Sequence, residues 1–335
     1  MSVPASLLER RLLFVTGKGG VGKTSVTSAL GLLGAQQGKR TLVCEVDAKG
    51  NLADFYGVGP LRFEPTEVQP NLFAMALSTE ESLREYLKLQ LKLPLLARLG
   101  PVAKMFDFVA TAAPGVKEIL TVGKIAYEVR ERNYDLVVVD ASASGHVVGQ
   151  LASPVALGEL IGVGVVQAQT AWMIDLLRDP ATTGVVVVAT PEEMPVNETL
   201  ELVGRLGTET EIDLAAVVAN RVLPELFGRG EEELFDRVAD ALGSDRAGGD
   251  AVGGPALDES LDEQLAPSSV AGLRGVVGAA QLAVGLRRSR VPHLQRLREG
   301  LPAGVPMLNV PQLFIRSHGT RATHAIAELL HEELV

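Results

Sequence analysis

A single cysteine, Cys44, stands in a chain of 335 residues. It leaves no partner for an intrachain disulfide and no set of thiolates for a structural zinc or an iron–sulfur cluster, so neither metal centre is expected. Long apolar runs are missing as well. None reaches the ~20 uncharged residues that a membrane-spanning helix needs, which argues against direct membrane insertion. The opening residues, MSVPASLLERR, lack the basic-then-apolar order of a secretory signal, and a cytoplasmic protein is expected. Positive charge is scarce, with 31 Lys and Arg against 41 Asp and Glu and a net charge of −10. A broad nucleic-acid surface needs clustered cations to displace counterions, so no nucleic-acid partner is expected. The one short basic cluster, Arg287-Arg288-Ser289-Arg290, reads as the solvated face or end of a helix. No internal repeat is present.

What the chain does have is the stretch Gly17-Lys18-Gly19-Gly20-Val21-Gly22-Lys23-Thr24, set directly after the apolar run Leu12 to Val15. It satisfies the phosphate-loop pattern G-x-x-x-x-G-K-[ST] in the context that pattern demands, strand then loop then helix. Glycines let backbone N–H groups surround a polyphosphate without interference from Cβ atoms. The helix that begins here, through Ser25, adds its free N–H groups and its positive dipole end beneath the anion. Lys23 would reach the terminal phosphates, and Thr24 would place a hydroxyl on Mg²⁺. Lys18 is a second lysine in a loop that needs one, and its side chain cannot easily fold back onto phosphates already enclosed by its own backbone.

The rest of the chain reads as strands alternating with helices. Apolar strands are expected at Thr41 to Val46, Leu72 to Leu77, Asp135 to Val139, Gly184 to Ala189, Ala215 to Ala219 and Pro306 to Val310. Near-continuous apolar strands of this kind belong to a parallel sheet covered on both faces, hence an α/β, doubly wound, mostly parallel sheet of about seven or eight strands. The interval 79–133 is too long for a single crossover and reads as an inserted helical subdomain. Three runs at helical spacing support it, around Leu83 to Leu91, Val102 to Val109 and Val116 to Val129, although Leu87 to Leu93 alternates strictly and also fits a strand. A second helical piece is expected within 151–178. Residues 243–269, acidic and rich in Gly and Ala, read as a flexible loop, and 1–335 as one phosphate-loop domain carrying these insertions.

Ligands of open parallel sheets bind outside the carboxyl ends of the strands. Two of these strands end in an aspartate, Asp47 beyond Val46 and Asp140 beyond Val139. A buried carboxylate at a strand end is costly unless a cation or donor meets it, and a Mg²⁺–nucleotide complex offers both. Either aspartate taken alone also fits a cap on the turn that follows.

On these residues the chain resembles the arsenite-pump and tail-anchored-protein-targeting ATPases, and most of all their actinobacterial members. That family is a branch of the deviant Walker A phosphate-loop ATPases, of the SIMIBI class, and the resemblance covers most of the chain. It implies that Lys18 is the signature lysine that reaches across a dimer interface to the partner's nucleotide. It implies that Asp47, in Asp47-Ala48-Lys49-Gly50-Asn51-Leu52, orients or activates the attacking water. In Asp140-Ala141-Ser142-Ala143-Ser144-Gly145-His146 it implies that Asp140 holds Mg²⁺ through water and that Gly145 senses the terminal phosphate. Pro191-Glu192 and Glu198-Thr199 resemble a loop near the nucleotide and the partner subunit, while Asn220 and the loop at Pro311 correspond to adenine recognition.

The implied protein is a dimeric ATPase switch that binds ATP or ADP with Mg²⁺. It pairs with itself or with a related paralogue and couples nucleotide state to a protein client through the helical insert. Departures open a second reading. Ala48, Gly50, Ala143 and Ser144 replace residues of the family's switches, which suits a nucleotide-binding scaffold subunit with little turnover. Cys44, in the middle of an apolar strand, supports neither a metalloid site nor a zinc bridge, and the insert lacks the methionines of an adaptable groove for hydrophobic helices.

Overall fold

The structure is a computed structural model and describes residues 5–46, 51–91, 115–160, 165–244, 267–314 and 319–334. An eight-stranded sheet is its frame. In chain order the strands are β1 (Leu12–Gly17), β2 (Thr41–Glu45), β3 (Thr66–Gln69), β4 (Leu72–Ala76), β5 (Leu136–Asp140), β6 (Thr183–Ala189), β7 (Leu214–Val222) and β8 (Met307–Pro311). Across the sheet they run β3-β4-β2-β5-β1-β6-β7-β8. All neighbours are parallel except β3, which pairs antiparallel to β4.

Seven strands fall where the apolar runs predict them, and the eighth is β3. Its half-exposed Thr-Glu-Val-Gln lacks an apolar run because it lies at the sheet edge. Asn71, in the left-handed region at φ 63°, turns the chain back into β4. The central strands are wholly buried, as Leu-Leu-Phe-Val in β1 and the valine run of β6 require when helices cover both faces.

On one face lie α2 (Lys23–Gln36), α3 (Asn51–Tyr56) and α11 (Thr320–Leu334), whose Val26, Leu30, Leu33, Ile326 and Leu330 share one core with β1 and β2. On the other lie α5 (Val116–Arg130), α6 (Ser144–Leu160), α7 (Val165–Arg178) and α8 (Glu193–Glu209). The short α1 (Ala5–Glu9) precedes β1. Helix α4 (Thr79–Leu91) packs on α5, so the alternation from Leu87 resolves as helix up to Leu91. The run from Val102 to Val109 lies outside the described residues. In the 151–178 piece, α6 begins earlier than expected, at Ser144, and carries Pro154 within it.

The described residues divide into two compact units where the sequence reads as one domain. The first comprises residues 1–222 and 296–335 and holds the whole sheet. The second, residues 223–295, is built from α9 (Arg229–Ser244) and most of α10 (Pro267–Gly300). Within it Phe227 meets Phe235 edge-on with centroids 4.8 Å apart, Gln281 donates to Asp236 at 3.1 Å, and Arg287 of the basic cluster pairs with Glu225 at 2.9 Å. Most of the expected acidic loop lies outside the described residues. Its two ends are helical, since α9 runs through Ser244 and α10 starts at Pro267. Among the described residues no helix is long and apolar enough to cross a membrane.

Candidate functional site

β1 delivers the chain to the carboxyl edge of the sheet, and Gly17 begins the turn there with φ 149°. A Cβ on Gly17 would lie 2.2 Å from the carbonyl oxygen of Val188 in the neighbouring β6. The loop closes at Gly22, which starts α2 with φ 95°, and a Cβ on that residue would meet Asn220 Nδ2 at 2.3 Å. Both positions therefore require glycine. Lys23 is the first residue of α2, and its Nζ donates to the carbonyl oxygen of Lys18 at 3.2 Å, so the ammonium lies back along the loop. Gly19, Gly20, Gly22, Lys23, Thr24 and Ser25 line one side of a cavity of about 860 Å³, within the range of small-molecule sites.

Asp140, at the end of β5, faces that helix start. Thr24 Oγ1 donates to its Oδ2 at 2.7 Å, and Thr27 Oγ1 lies 3.4 Å from its Oδ1. The residue is only 9% exposed. Burial, with the nearby charge of Glu45, pushes it up to about 6, against the lowering influence of the Thr24 hydroxyl and Lys23. The folded chain thus keeps this proton up to about pH 6, whereas the unfolded chain releases it near 3.8. Stability falls as pH rises through that window, and the full penalty applies above it. In the nucleotide-free protein, Asp140→Asn is expected to raise the unfolding free energy by about 2 kcal/mol near pH 7.5 and to leave it almost unchanged near pH 4. Urea titrations at the two pH values measure this. Equal shifts at both would assign the effect to packing and not to charge.

A second buried carboxylate, Glu45 at the end of β2, also lines the cavity. Its Oε1 accepts the backbone N–H groups of Asn51 at 3.1 Å and Leu52 at 3.4 Å, which fixes the first turn of α3. Sequence reasoning missed Glu45, although a charged residue inside an otherwise apolar strand is a recognisable signal. It also missed Arg221, which reaches the same cavity from β7.

The other expected site residues separate into groups. Asn51 lines the cavity. Val21 is buried, and its carbonyl oxygen accepts from Asn220 Nδ2 at 2.8 Å. Gly145 is exposed in the first turn of α6, and Pro311 ends β8 opposite Val222; neither is among the residues that line the cavity. Lys18 turns away from the cavity, and its Nζ donates to Glu198 Oε1 on α8 at 2.6 Å, both side chains being about one-third exposed at 30% and 34%. Asp47 lies outside the described residues. What the described residues bring together is a glycine-rich anion cradle with one lysine on it and a hydroxyl–carboxylate pair at the helix start.

Comparison with known proteins agrees with this geometry. The family model described as anion-transporting ATPase matches residues 10–173 and 165–233. ATPase BagA of Mycobacterium tuberculosis is 32% identical over 232 residues, covering 66% of this chain and 68% of that protein. The arsenical pump-driving ATPase of Acidiphilium multivorum is 28% identical over 236 residues, 64% of this chain and 40% of that protein. The ATPase ASNA1 homolog of Entamoeba dispar is 27% identical over 255 residues, 63% of this chain and 76% of that protein.

Proposed function

The chain belongs to the anion-transporting ATPase family and is an ATPase, and from that premise we propose that it works as a Mg²⁺-dependent, dimeric nucleotide switch. The observation that carries the proposal is the division of labour between the two loop lysines. Lys23 lies on the cradle, whereas Lys18 is held outside its own cavity by Glu198. A cation placed there cannot serve the phosphates that its own loop encloses. It is placed to serve those of a second copy, or of a related paralogue, docked against the same face.

The residues fit magnesium. Thr24 and Asp140 are hard oxygen donors within 2.7 Å of each other, and Mg²⁺ is ordinarily held by one or two such side chains together with substrate phosphates. Bound there, the ion would supply charge neutralisation at the phosphates and would relieve the cost of ionising buried Asp140. Hydrolysis of ATP needs positioning and charge stabilisation more than covalent chemistry. In this reading the loop N–H groups and Lys23 hold the polyphosphate, and the partner's copy of the Lys18 ammonium adds charge from across the interface. Asp47 orients the attacking water. Glu45 and Asn51 join the chain beyond Asp47 to the end of β2, and Gly145 follows Asp140, so both segments can pass the presence of the terminal phosphate to the helices behind them. The client that those helices serve is a protein.

Light scattering after size-exclusion, with and without a non-hydrolysable ATP analogue and Mg²⁺, tests the dimer. The analogue is expected to convert the parent to a dimer and to leave Lys18→Ala monomeric while that variant still binds the analogue. Glu198→Gln, which removes the charge that retains Lys18, is expected to dimerise at lower analogue concentration. A parent that binds the analogue and stays monomeric, alone and mixed with a paralogue, would sink the switch and favour the scaffold reading suggested by Ala48, Gly50, Ala143 and Ser144.

A further inference from the structure

We infer that Thr16 is a positioning residue for ATP hydrolysis: its hydroxyl fixes the turn that leads from Asp140 into α6, and so sets where that wall of the cavity stands against the phosphate loop. The inference rests on the ATPase reading above. Thr16 is buried in β1 immediately before Gly17. Leu13 and Val15 belong to the core shared with α2. Side chains alternate along a strand, so Leu12, Phe14 and Thr16 face the other side of the sheet, where α6 packs on β1. Leu12 and Phe14 are apolar, and the register partner of Thr16 in β6 is Val187. A valine at position 16 would complete this apolar file. A hydroxyl buried there is costly unless an acceptor meets it. The carbonyl oxygen of Ser142 accepts it at 2.9 Å, across 126 residues.

The contact falls where the sheet stops holding the chain. Pairing of β1 with β5 ends at Val15 opposite Asp140, and the Ala141 N–H, donating to the Val15 carbonyl oxygen at 3.0 Å, carries the ladder one step further. From Ala143 the chain is held again. Its carbonyl oxygen accepts the N–H groups of His146 at 2.9 Å and Val147 at 3.3 Å as α6 begins. Ser142 lies between these two anchorages, and the Thr16 hydroxyl bridges them. The donor itself is rigid, because Thr16 is paired with β6 and is followed by Gly17, which lies close against Val188. Asp140, Ala141 and Ala143 all line the cavity. Moving the Ser142 carbonyl therefore moves the two wall residues on either side of it.

Phosphoryl transfer depends on the placement of groups around the phosphate more than on covalent chemistry, and a misplacement of about 1 Å can cost a hundredfold in rate. Lys23 and the loop N–H groups belong to the end of β1 and the start of α2, whereas the turn after Asp140 belongs to β5. Thr16 lines neither part of the cavity. It ties the segment leaving β5 to the strand that carries the loop, so that both walls share one frame. Its loss should slow the reaction without loosening the nucleotide.

Phosphate release with Mg²⁺–ATP, and isothermal titration with Mg²⁺ and a non-hydrolysable ATP analogue, test this on the parent, Thr16→Val and Thr16→Ser. Valine keeps the branched shape and drops the hydroxyl. Serine keeps the hydroxyl and leaves a buried space the size of a methyl group. Thr16→Val is expected to lower kcat about tenfold, with analogue affinity within about twofold of the parent's. Thr16→Ser should recover most of that turnover although it unfolds at a lower temperature than Thr16→Val, so that rate and stability move in opposite directions. Parent-like turnover in Thr16→Val would make the hydroxyl merely structural, and a serine variant slower than the valine one would make the methyl group responsible. Either result overturns the proposal. A tenfold loss of analogue affinity in Thr16→Val would overturn it too, since the hydroxyl would then serve binding by the loop. In those three cases the parent still hydrolyses ATP and the proposed function stands. A parent that released no phosphate would overturn the proposed function and this role together.

Discussion

Lys23→Ala is expected to lower ATP turnover by about a hundred- to a thousandfold, the loss typical when one fixed donor to a developing anionic charge is removed. The lysine opens α2 and donates to the Lys18 carbonyl, so its ammonium already lies along the loop before any phosphate arrives. Little reorganisation remains to be done when the ligand binds, and preorganised charge of that kind is what speeds phosphoryl transfer. The fold itself should survive, because the side chain reaches the loop surface and contributes nothing to the apolar core. Stabilisation by nucleotide should vanish as well. A parent saturated a hundredfold over its Kd gains about 2.7 kcal/mol, and the variant should gain almost none. Phosphate release and thermal unfolding, each with and without Mg²⁺–ATP, measure the two effects. A variant that kept a tenth or more of the parent's turnover would remove Lys23 from the mechanism.

Gly17→Ala should cost about 3 kcal/mol or more of folding stability, combining a forbidden φ with overpacking against backbone. The added methyl would stand 2.2 Å from the Val188 carbonyl oxygen, and φ is 149°. The Val188 backbone cannot yield, since β6 is paired with β1 on one side and β7 on the other in the interior of the sheet. Gly19→Ala is the control. A Cβ there meets nothing within 4 Å, so a change of no more than about 0.5 kcal/mol is expected. Urea unfolding of both variants, with the slope compared to the parent, checks the pair. Equal effects at the two positions would show that the constraint on Gly17 does not come from β6.

Much of this was legible beforehand because the signals were local. The phosphate loop is a contiguous string with a strand before it and a helix after it. The buried strands announce themselves as apolar runs. What escaped was set by partners distant in sequence. β3 has no apolar run, since its stability comes from pairing with β4 at an edge. Glu45 looked like one residue of a strand, and only the return of the chain at Asn51 and Leu52 gives its carboxylate a task. Lys18 was read as a lysine for a partner and Glu198, 180 residues away, as part of a loop near the nucleotide and the partner, but nothing in the sequence paired the two with each other. Arg221 lines the cavity at a place where the pairing of β7 with β8 shifts between Asn220 and Val222, and no pattern in the sequence marks that shift. The second compact unit was partly obscured by the low-complexity stretch before α10, which diluted its helical spacing.

The helix at Thr320–Leu334 carries a further consequence, one of timing. Thr323 donates to the carbonyl oxygen of Phe55 across a separation of 268 residues, and the helix covers the apolar side of the one that starts at Lys23. During synthesis the phosphate loop is therefore made early and its supporting helix stays bare on one side until this far later segment emerges. Contacts of such long span form slowly, and surface exposed in the meantime is open to association with other chains. Competence to hold nucleotide is acquired late, and nucleotide can then favour the finished molecule over its incomplete forms.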